Sequence, residues 1–349
     1  MCNRKCGYKC LFIFVICFML SVLCFNRCEV SANKIIESYC DALSGNNVEC
    51  QGALANICKE AGIELGEGLG AGDILNFVKS TQEKLVNRKN GKERWDSTDL
   101  IWINEKNRNS ICNNMLALGF LNKVSPKNKN SKYDAICILG ATMPAMESRI
   151  KYAEELVEEG VDARYVVLLT GERYLNDKVD CDDKRLSELS VYSNIPKEQL
   201  TETHAFKYLY SNSKLKNKFE LIIIDTPQKN GIRPTTQTTV EKFLSSKNSD
   251  INSALFVSSQ PSVKYQEAVI NEVLVNCNSN LKFETVGNTY KNFNLKRAIS
   301  ELGSYIWAST PQVIRKAQIR ISKDDAKDLK ELFSSNCLIY NNLANLVVE

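Results

Sequence analysis

Five short apolar runs, each closing on a small or polar residue and each followed by a helical stretch, constrain this chain more than any other feature. They are YDAICILG (Tyr133–Gly140), RYVVLLTG (Arg164–Gly171), ELIIIDTP (Glu220–Pro227), SALFVSS (Ser253–Ser259) and LKFETVG (Leu281–Gly287). Runs this short and this evenly apolar read as strands covered on both faces, because a strand with one wet face alternates apolar and polar residues. Between and after them, PAMESRIKYAEELVEEG, Thr201–Tyr210, PTTQTTVEKFLSS, SVKYQEAVINEVLVNC and NLKRAISELGSYIWAS carry apolar residues at helical spacing. The alternation predicts an α/β fold: a doubly wound, mostly parallel five-stranded Rossmann-like sheet over residues 133–310, with right-handed crossovers. NDKVDCDDKRLSE, after the second strand, is expected to be an acidic loop.

Upstream, residues 33–124 read as a helical region. Its glycine-rich ELGEGLGAGD follows no buried strand, so a helix–helix connection is expected there rather than a phosphate loop. SPKNKNSK (Ser125–Lys132) reads as a linker, and residues 311–349 as a helical tail.

Residues 1–32 have a different chemistry. Arg4, Lys5 and Lys9 precede the uncharged run Cys10–Phe25, and Val30-Ser31-Ala32 suits signal-peptidase cleavage. Sixteen apolar residues fall short of the ~20 that a spanning helix needs. A cleaved signal peptide is therefore expected, with an uncleaved amino-terminal membrane anchor, its start in the cytoplasm, as the alternative. Either makes the remainder extracytoplasmic: periplasmic or secreted, or single-pass anchored. This leader holds six of the 14 cysteines, and without it 41 basic residues face 40 acidic ones. So even a balance gives no reason for a nucleic-acid partner.

The other eight cysteines form no C-x-x-C pair and no zinc-type spacing. Cys40, Cys50 and Cys58 lie close enough in sequence for one disulfide in an oxidising compartment, and Cys137 reads as a buried small hydrophobe. His204 is the only histidine. No multi-histidine metal centre can be built, and chemistry must run mainly on carboxylates, arginines and hydroxyls.

Open parallel sheets bind ligands outside the carboxyl ends of their strands. There the sequence offers Gly140-Ala141-Thr142, then Thr170-Gly171-Glu172-Arg173, then Asp225-Thr226 running to Arg233-Pro234-Thr235-Thr236 with Thr238, and last Ser259-Gln260. Pro234 is expected to open the helix, with the threonines in its first turn. Arg233 beside that helix start is a candidate anion ligand, because the free N–H groups already favour negative charge; a salt bridge to Asp225 or Glu241 is the alternative. Arg149 either reaches back to Gly140 or pairs with Glu147 or Tyr152. Asp225, Glu202 and Glu172 are the candidate catalytic carboxylates, although Glu202 also suits a helix cap. His204, near that helix start, is expected to be structural. No local motif supports a metal, and no cofactor is named: S-adenosylmethionine ranks last without a G-x-G-x-x-G match.

In this order, CILGA with Arg149, LLTG with Glu172, TET with Glu202, IIIDTP running to Arg233 and FVSSQP resemble the SanA/YdcF-like domain-of-unknown-function family of envelope-associated proteins, over Asp134–Trp307. The chain departs from that pattern at Glu172, where the family has a second glycine. Gln237-Thr238 replaces a glutamate–asparagine pair, and Lys264 and Tyr265 stand where a histidine and an arginine follow the fourth strand. The resemblance implies a Rossmann-like domain, often membrane-tethered, linked to cell-envelope biogenesis. Together with the loops it points to a phosphorylated or nucleotide-like small-molecule anion as partner. Arg149, Arg173 and Arg233 would hold it, and hydrolysis or transfer at a phosphate or glycosyl phosphate would be the chemistry. The alternative is a non-catalytic envelope binding or scaffold protein with a degenerate site, and an uncleaved leader would add the membrane as a partner.

Overall fold

The computed structural model describes residues 33–44, 47–66, 68–86, 100–128, 130–246, 250–289, 294–322, 324–325 and 327–328. The expected leader, residues 1–32, and the tail beyond 328 lie outside the described residues. Strands β1 (Lys132–Leu139), β2 (Asp162–Gly171), β3 (Glu220–Thr226), β4 (Ser253–Ser259) and β5 (Lys282–Asn288) form one all-parallel sheet in the order β3-β2-β1-β4-β5. The order reverses between β1 and β4, which are paired from Ala135↔Ala254 to Ile138↔Val257. In a doubly wound sheet that reversal opens a crevice at the carboxyl edge.

Alternate residues of each strand feed two cores. Ile136, Ile138, Val166, Leu168, Leu255 and Val257 face α5 (Met143–Glu158), α6 (Asp183–Ser193) and α7 (Glu202–Ser211). Cys137, Leu139, Val167, Leu169 and Phe256 face α8 (Thr236–Ser246), α9 (Val263–Asn276) and α10 (Leu295–Lys316). Each such side chain, removed from water, contributes roughly 1.5–3 kcal/mol. β3 departs furthest from burial on both faces. As an edge strand it leaves Glu220, Leu221 and Asp225 exposed.

The helical region comprises α1 (Lys34–Ser44), α2 (Val48–Glu60), α3 (Ala71–Lys84) and α4 (Arg108–Ala117). Its apolar residues, among them Tyr39, Ile57, Phe77 and Phe120, merge with the α8–α10 core in a single cluster. Tyr39 Oη bonds Thr310 Oγ1 at 2.9 Å across that junction. The glycine-rich segment is a connection, as expected. Gly70 N donates to the Asp73 carboxylate at 2.9 Å, and a side chain at Gly66 or Gly68 would collide with that carboxylate.

Four local expectations need correction. The acidic segment is only partly a loop: α6 begins at Asp183, capped by the Asp182 carboxylate, which accepts from Arg185 N at 2.9 Å. Its charged first turn hides the helix, whose buried residues are only Leu186 and Leu189. Pro234 does not open α8, which starts two residues later. α10 runs through Pro311 to Lys316, so the tail boundary at 310/311 falls inside a helix. Cys40, Cys50 and Cys58 do meet, fully buried, but none of them is in a disulfide. The Cys40 thiol hydrogen-bonds to Cys50 instead, and burial pushes the Cys58 thiol up to about 12. No helix among the described residues is long and apolar enough to cross a membrane.

Candidate functional site

At the carboxyl end of β1 the carbonyls of Leu139 and Gly140 take side-chain donors. Arg149, two turns into α5 and 2 % exposed, supplies them. Its Nη1 donates to Leu139 O at 2.7 Å and to Gly140 O at 2.8 Å, while Nε donates to Ser259 Oγ of β4 at 3.3 Å. The guanidinium therefore bridges β1 and β4 where the strand order reverses. Glu147 pairs with Lys151 and Arg185, leaving Arg149 to the strand ends.

Gly140 is glycine for a steric reason. A Cβ there would strike the Glu202 carboxylate and lie 2.8 Å from Leu169 O. Glu202, the first residue of α7, is 7 % exposed. It accepts from Gly171 N at 3.3 Å and from Arg173 Nε at 3.2 Å. Burial raises its pKa, and Arg173, the Gly171 N–H and Arg149 only partly offset this.

Arg173 is the hub of the network, with five directed hydrogen bonds. Nε goes to Glu202. Nη1 donates to Asp180 Oδ2 at 2.8 Å and to Tyr174 O at 3.4 Å, and Nη2 to Asp180 Oδ1 at 2.8 Å and Ala141 O at 3.1 Å. All the N–H groups of this 8 % exposed side chain are spent inside the protein. Burial pulls its pKa down, but Asp180 and Glu202 outweigh that and hold it above its ordinary value. Arg173 and Glu202 are thus both raised, which favours the charged form of the arginine and the neutral form of the glutamate. Asp180 makes the short, two-pronged contact, whereas the bonds to Glu202 are long, so burial governs Glu202.

Asp180 itself is 2 % exposed. Besides both terminal nitrogens of Arg173, it accepts from Met143 N at 2.9 Å, the first N–H of α5, and from Asn176 N at 2.8 Å. Thr142, the N-cap residue of α5, makes no side-chain cap bond. The cap comes from Asp180, 37 residues away.

A second group gathers at the ends of β2 and β3. Thr170 Oγ1 bonds Thr203 Oγ1 at 2.7 Å, and Thr203 Oγ1 in turn bonds the exposed Asp225 at 2.8 Å. Glu172 holds the next loop in place: its carboxylate accepts from Gln228 N at 2.8 Å and its carbonyl from Gln228 Nε2 at 2.9 Å. Asn230 and Gly231, both at positive φ, make a two-residue turn closed by the Lys229↔Ile232 bridge. This returns Pro234 onto Gly171, where a side chain on the glycine would meet Pro234 Cβ at 2.9 Å. Thr226 Oγ1, buried beside this loop, has no hydrogen-bond partner among the described residues.

The remaining predicted residues are spread further apart. Arg233 is exposed, three residues before α8. Thr235 and Thr238 cap one another, Thr235 N donating to Thr238 Oγ1 at 2.9 Å, with Thr236 the first residue of the helix. Gln260 turns away from the edge, its Nε2 donating to Gly119 O at 2.9 Å and Asn122 O at 2.6 Å. It fastens the sheet to the helical region. His204 Nδ1 accepts from Thr201 N at 3.1 Å and contacts Thr201 Oγ1 at 2.9 Å, closing a capping box. Burial and Lys207 lower its pKa, partly offset by Asp225.

The structure thus joins Gly140, Ala141, Arg149, Gly171, Arg173, Glu202 and Ser259 in one network, with Thr170, Glu172, Asp225 and Thr226 beside it. Asp180, Thr203 and Gln228 belong to these groups but were not singled out from the sequence. Asp180 lies among four aspartates in a charged segment, and nothing local marks it as the one that turns inward. Among the described residues no group of three or more His, Cys, Asp or Glu side chains could hold a metal ion.

The fold and this edge define a doubly wound α/β protein whose strand ends are tied together by two buried arginines. No family model, curated protein or solved structure matches the chain.

Proposed function

We propose that this is an exported or membrane-anchored SanA/YdcF-like protein that binds a phosphorylated or nucleotide-like small molecule at the carboxyl edge of its sheet. One observation carries the reading: Arg149 and Arg173, both buried, stand at the ends of β1 and β2, and Arg173 converges with the first N–H of α5 on a single carboxylate. Guanidinium forks and helix amino termini are the donors that recognise phosphate and carboxylate oxygens. Thr226 Oγ1, buried without a partner among the described residues, adds a polar group of the kind a ligand satisfies. Arg233 lies exposed on the same side, where it can meet an incoming anion. Asp225, the exposed carboxylate of the three candidates, is the one placed to act as a general base for hydrolysis or transfer.

The second reading, a non-catalytic envelope binding protein, is favoured by the anchoring of Glu172 on Gln228 and of Glu202 on Arg173. Both would serve architecture rather than turnover. Thermal shift over nucleotides, sugar phosphates and inorganic pyrophosphate, with wild type beside Arg233→Ala, tests binding. A ligand that stabilises wild type more than the variant is expected, and product analysis of the same samples separates turnover from binding. No stabilisation of wild type by any of these anions, or equal stabilisation of both proteins, refutes the anion site. Fractionation of cells with and without detergent separates a cleaved from an anchored leader.

A further inference from the structure

We infer that Asp180 is a tethered anion seated where the ligand's own anionic group would sit, so that the segment around it acts as an autoinhibitory strap. The inference rests on the anion-binding reading above and adds how that site is controlled.

The burial pattern of the segment is inverted. Of residues 174–185, all of them described, Asp180 alone is buried, while Leu175 and Val179 remain partly exposed. The segment rests only Leu175 and Cys181, both partly buried, against the core beneath α5–α7, and turns its aspartate fully inward. Its anchors lie at the two ends. Tyr174 bridges Thr201 and Leu175 N donates to Leu200 O at 2.9 Å on one side, and Asp182 caps α6 on the other. Between them lies a tight turn in which Asp180 N donates to Asn176 O at 2.8 Å. Apart from that internal turn, the carboxylate makes the side-chain contacts that tie the segment to the strand ends.

Those contacts match the needs of an oxyanion. Two guanidinium nitrogens and the first N–H of a 16-residue helix converge on one small acid. A phosphoryl group offers the same donors more acceptor oxygens and more charge, and the displaced carboxylate regains full hydration in water. The exchange conserves the hydrogen bonds of Arg173 and Met143, so neither is left unpaired when Asp180 leaves. Asp73 shows what an ordinary cap looks like here: it comes from the first turn of its own helix, and its bond to Gly70 N is exposed. Asp180 reaches its helix from a distant loop and is buried on arrival.

Cys181, half-buried beside Asp180, reports the position of the strap. The full chain is treated with iodoacetamide, with and without saturating inorganic pyrophosphate at matched ionic strength. Alkylation at each cysteine is followed by peptide mass mapping, and pyrophosphate binding by calorimetry. Pyrophosphate should raise the alkylation rate of Cys181 at least ~3-fold while leaving the exposed Cys277 unchanged, a measurement that needs no variant. Asp180→Asn should label quickly without pyrophosphate and bind it at least ~10-fold more tightly. Pyrophosphate binding wild type and variant alike, with Cys181 unaffected or protected, overturns the strap and leaves the anion site standing. Binding to neither protein removes both.

Discussion

Replacing Arg173 by methionine removes the cation from a cluster whose three side chains are 10 %, 0 % and 10 % exposed for Arg173, Asp180 and Glu202. Methionine keeps much of the aliphatic volume, so the perturbation is chiefly electrostatic. Asp180 loses its two 2.8 Å charge-assisted bonds and Glu202 the one at 3.2 Å. Stripping one partner from a buried pair leaves an uncompensated charge and costs about 3–5 kcal/mol. The remaining donors to Asp180, the N–H groups of Met143 and Asn176, keep the loss toward the lower half of that range. The cost must depend on pH. With the cation gone, Glu202, whose pKa burial already raises, loses the main interaction that offsets this and stands further above its unfolded value of about 4.3. A group raised in this way contributes stability that is fully present below the unfolded pKa and is lost as pH rises through the folded pKa. The variant should therefore be least stable relative to wild type near pH 7 and recover as pH falls toward 5. Urea unfolding followed by circular dichroism at both pH values measures this directly. A loss under ~1 kcal/mol at pH 7, or the same loss at both pH values, would refute the idea that Arg173 holds two buried anions.

Three further outcomes follow from the same geometry. Gly140→Ala puts a Cβ against Glu202 and 2.8 Å from Leu169 O, a clash that should cost about 1–3 kcal/mol or more; an unchanged melting temperature would contradict it. His204 serves its helix as an acceptor, and its pKa is lowered from 6.5 by burial and Lys207, so its contribution is fully present above 6.5 and is lost as pH falls through the folded value. His204→Gln should keep the cap and remove that acid-side loss, worth up to about 2 kcal/mol, in unfolding curves compared at pH 7.5 and 5. Gln260→Ala leaves Gly119 O and Asn122 O without their donor and should speed proteolysis near 119–123 and lower stability by roughly 1–3 kcal/mol, whereas equal cleavage rates would show that Gln260 does not fasten the helical region.

The sheet was legible because burial on both faces writes itself into composition: CILG, VVLLT and ALFVSS have no wet side to encode. Arg149 and Gly140 were readable as neighbours, since a helix that follows a strand must bring its second turn back over the strand end. The start of α8 was not. Pro234 has the chemistry of a first helical residue, but Gly171 offers it a seat on the sheet, and the tertiary contact overrides the local preference. α6 was missed because its charged first turn faces water and carries no apolar periodicity.

By itself, the sequence determined a parallel α/β sheet and the loops that reach its carboxyl edge, with their arginines, carboxylates and hydroxyls. These follow from composition, from unbroken apolar runs and from the 3.6-residue helical period, which are local properties. Only the tertiary structure decided how the charges pair. It chose Asp180 over its neighbours, gave Arg173 to Asp180 and Glu202, and sent Gln260 to the helical region. Pairing among buried charges depends on which ones meet where water is excluded, and that is settled by residues far apart in the chain.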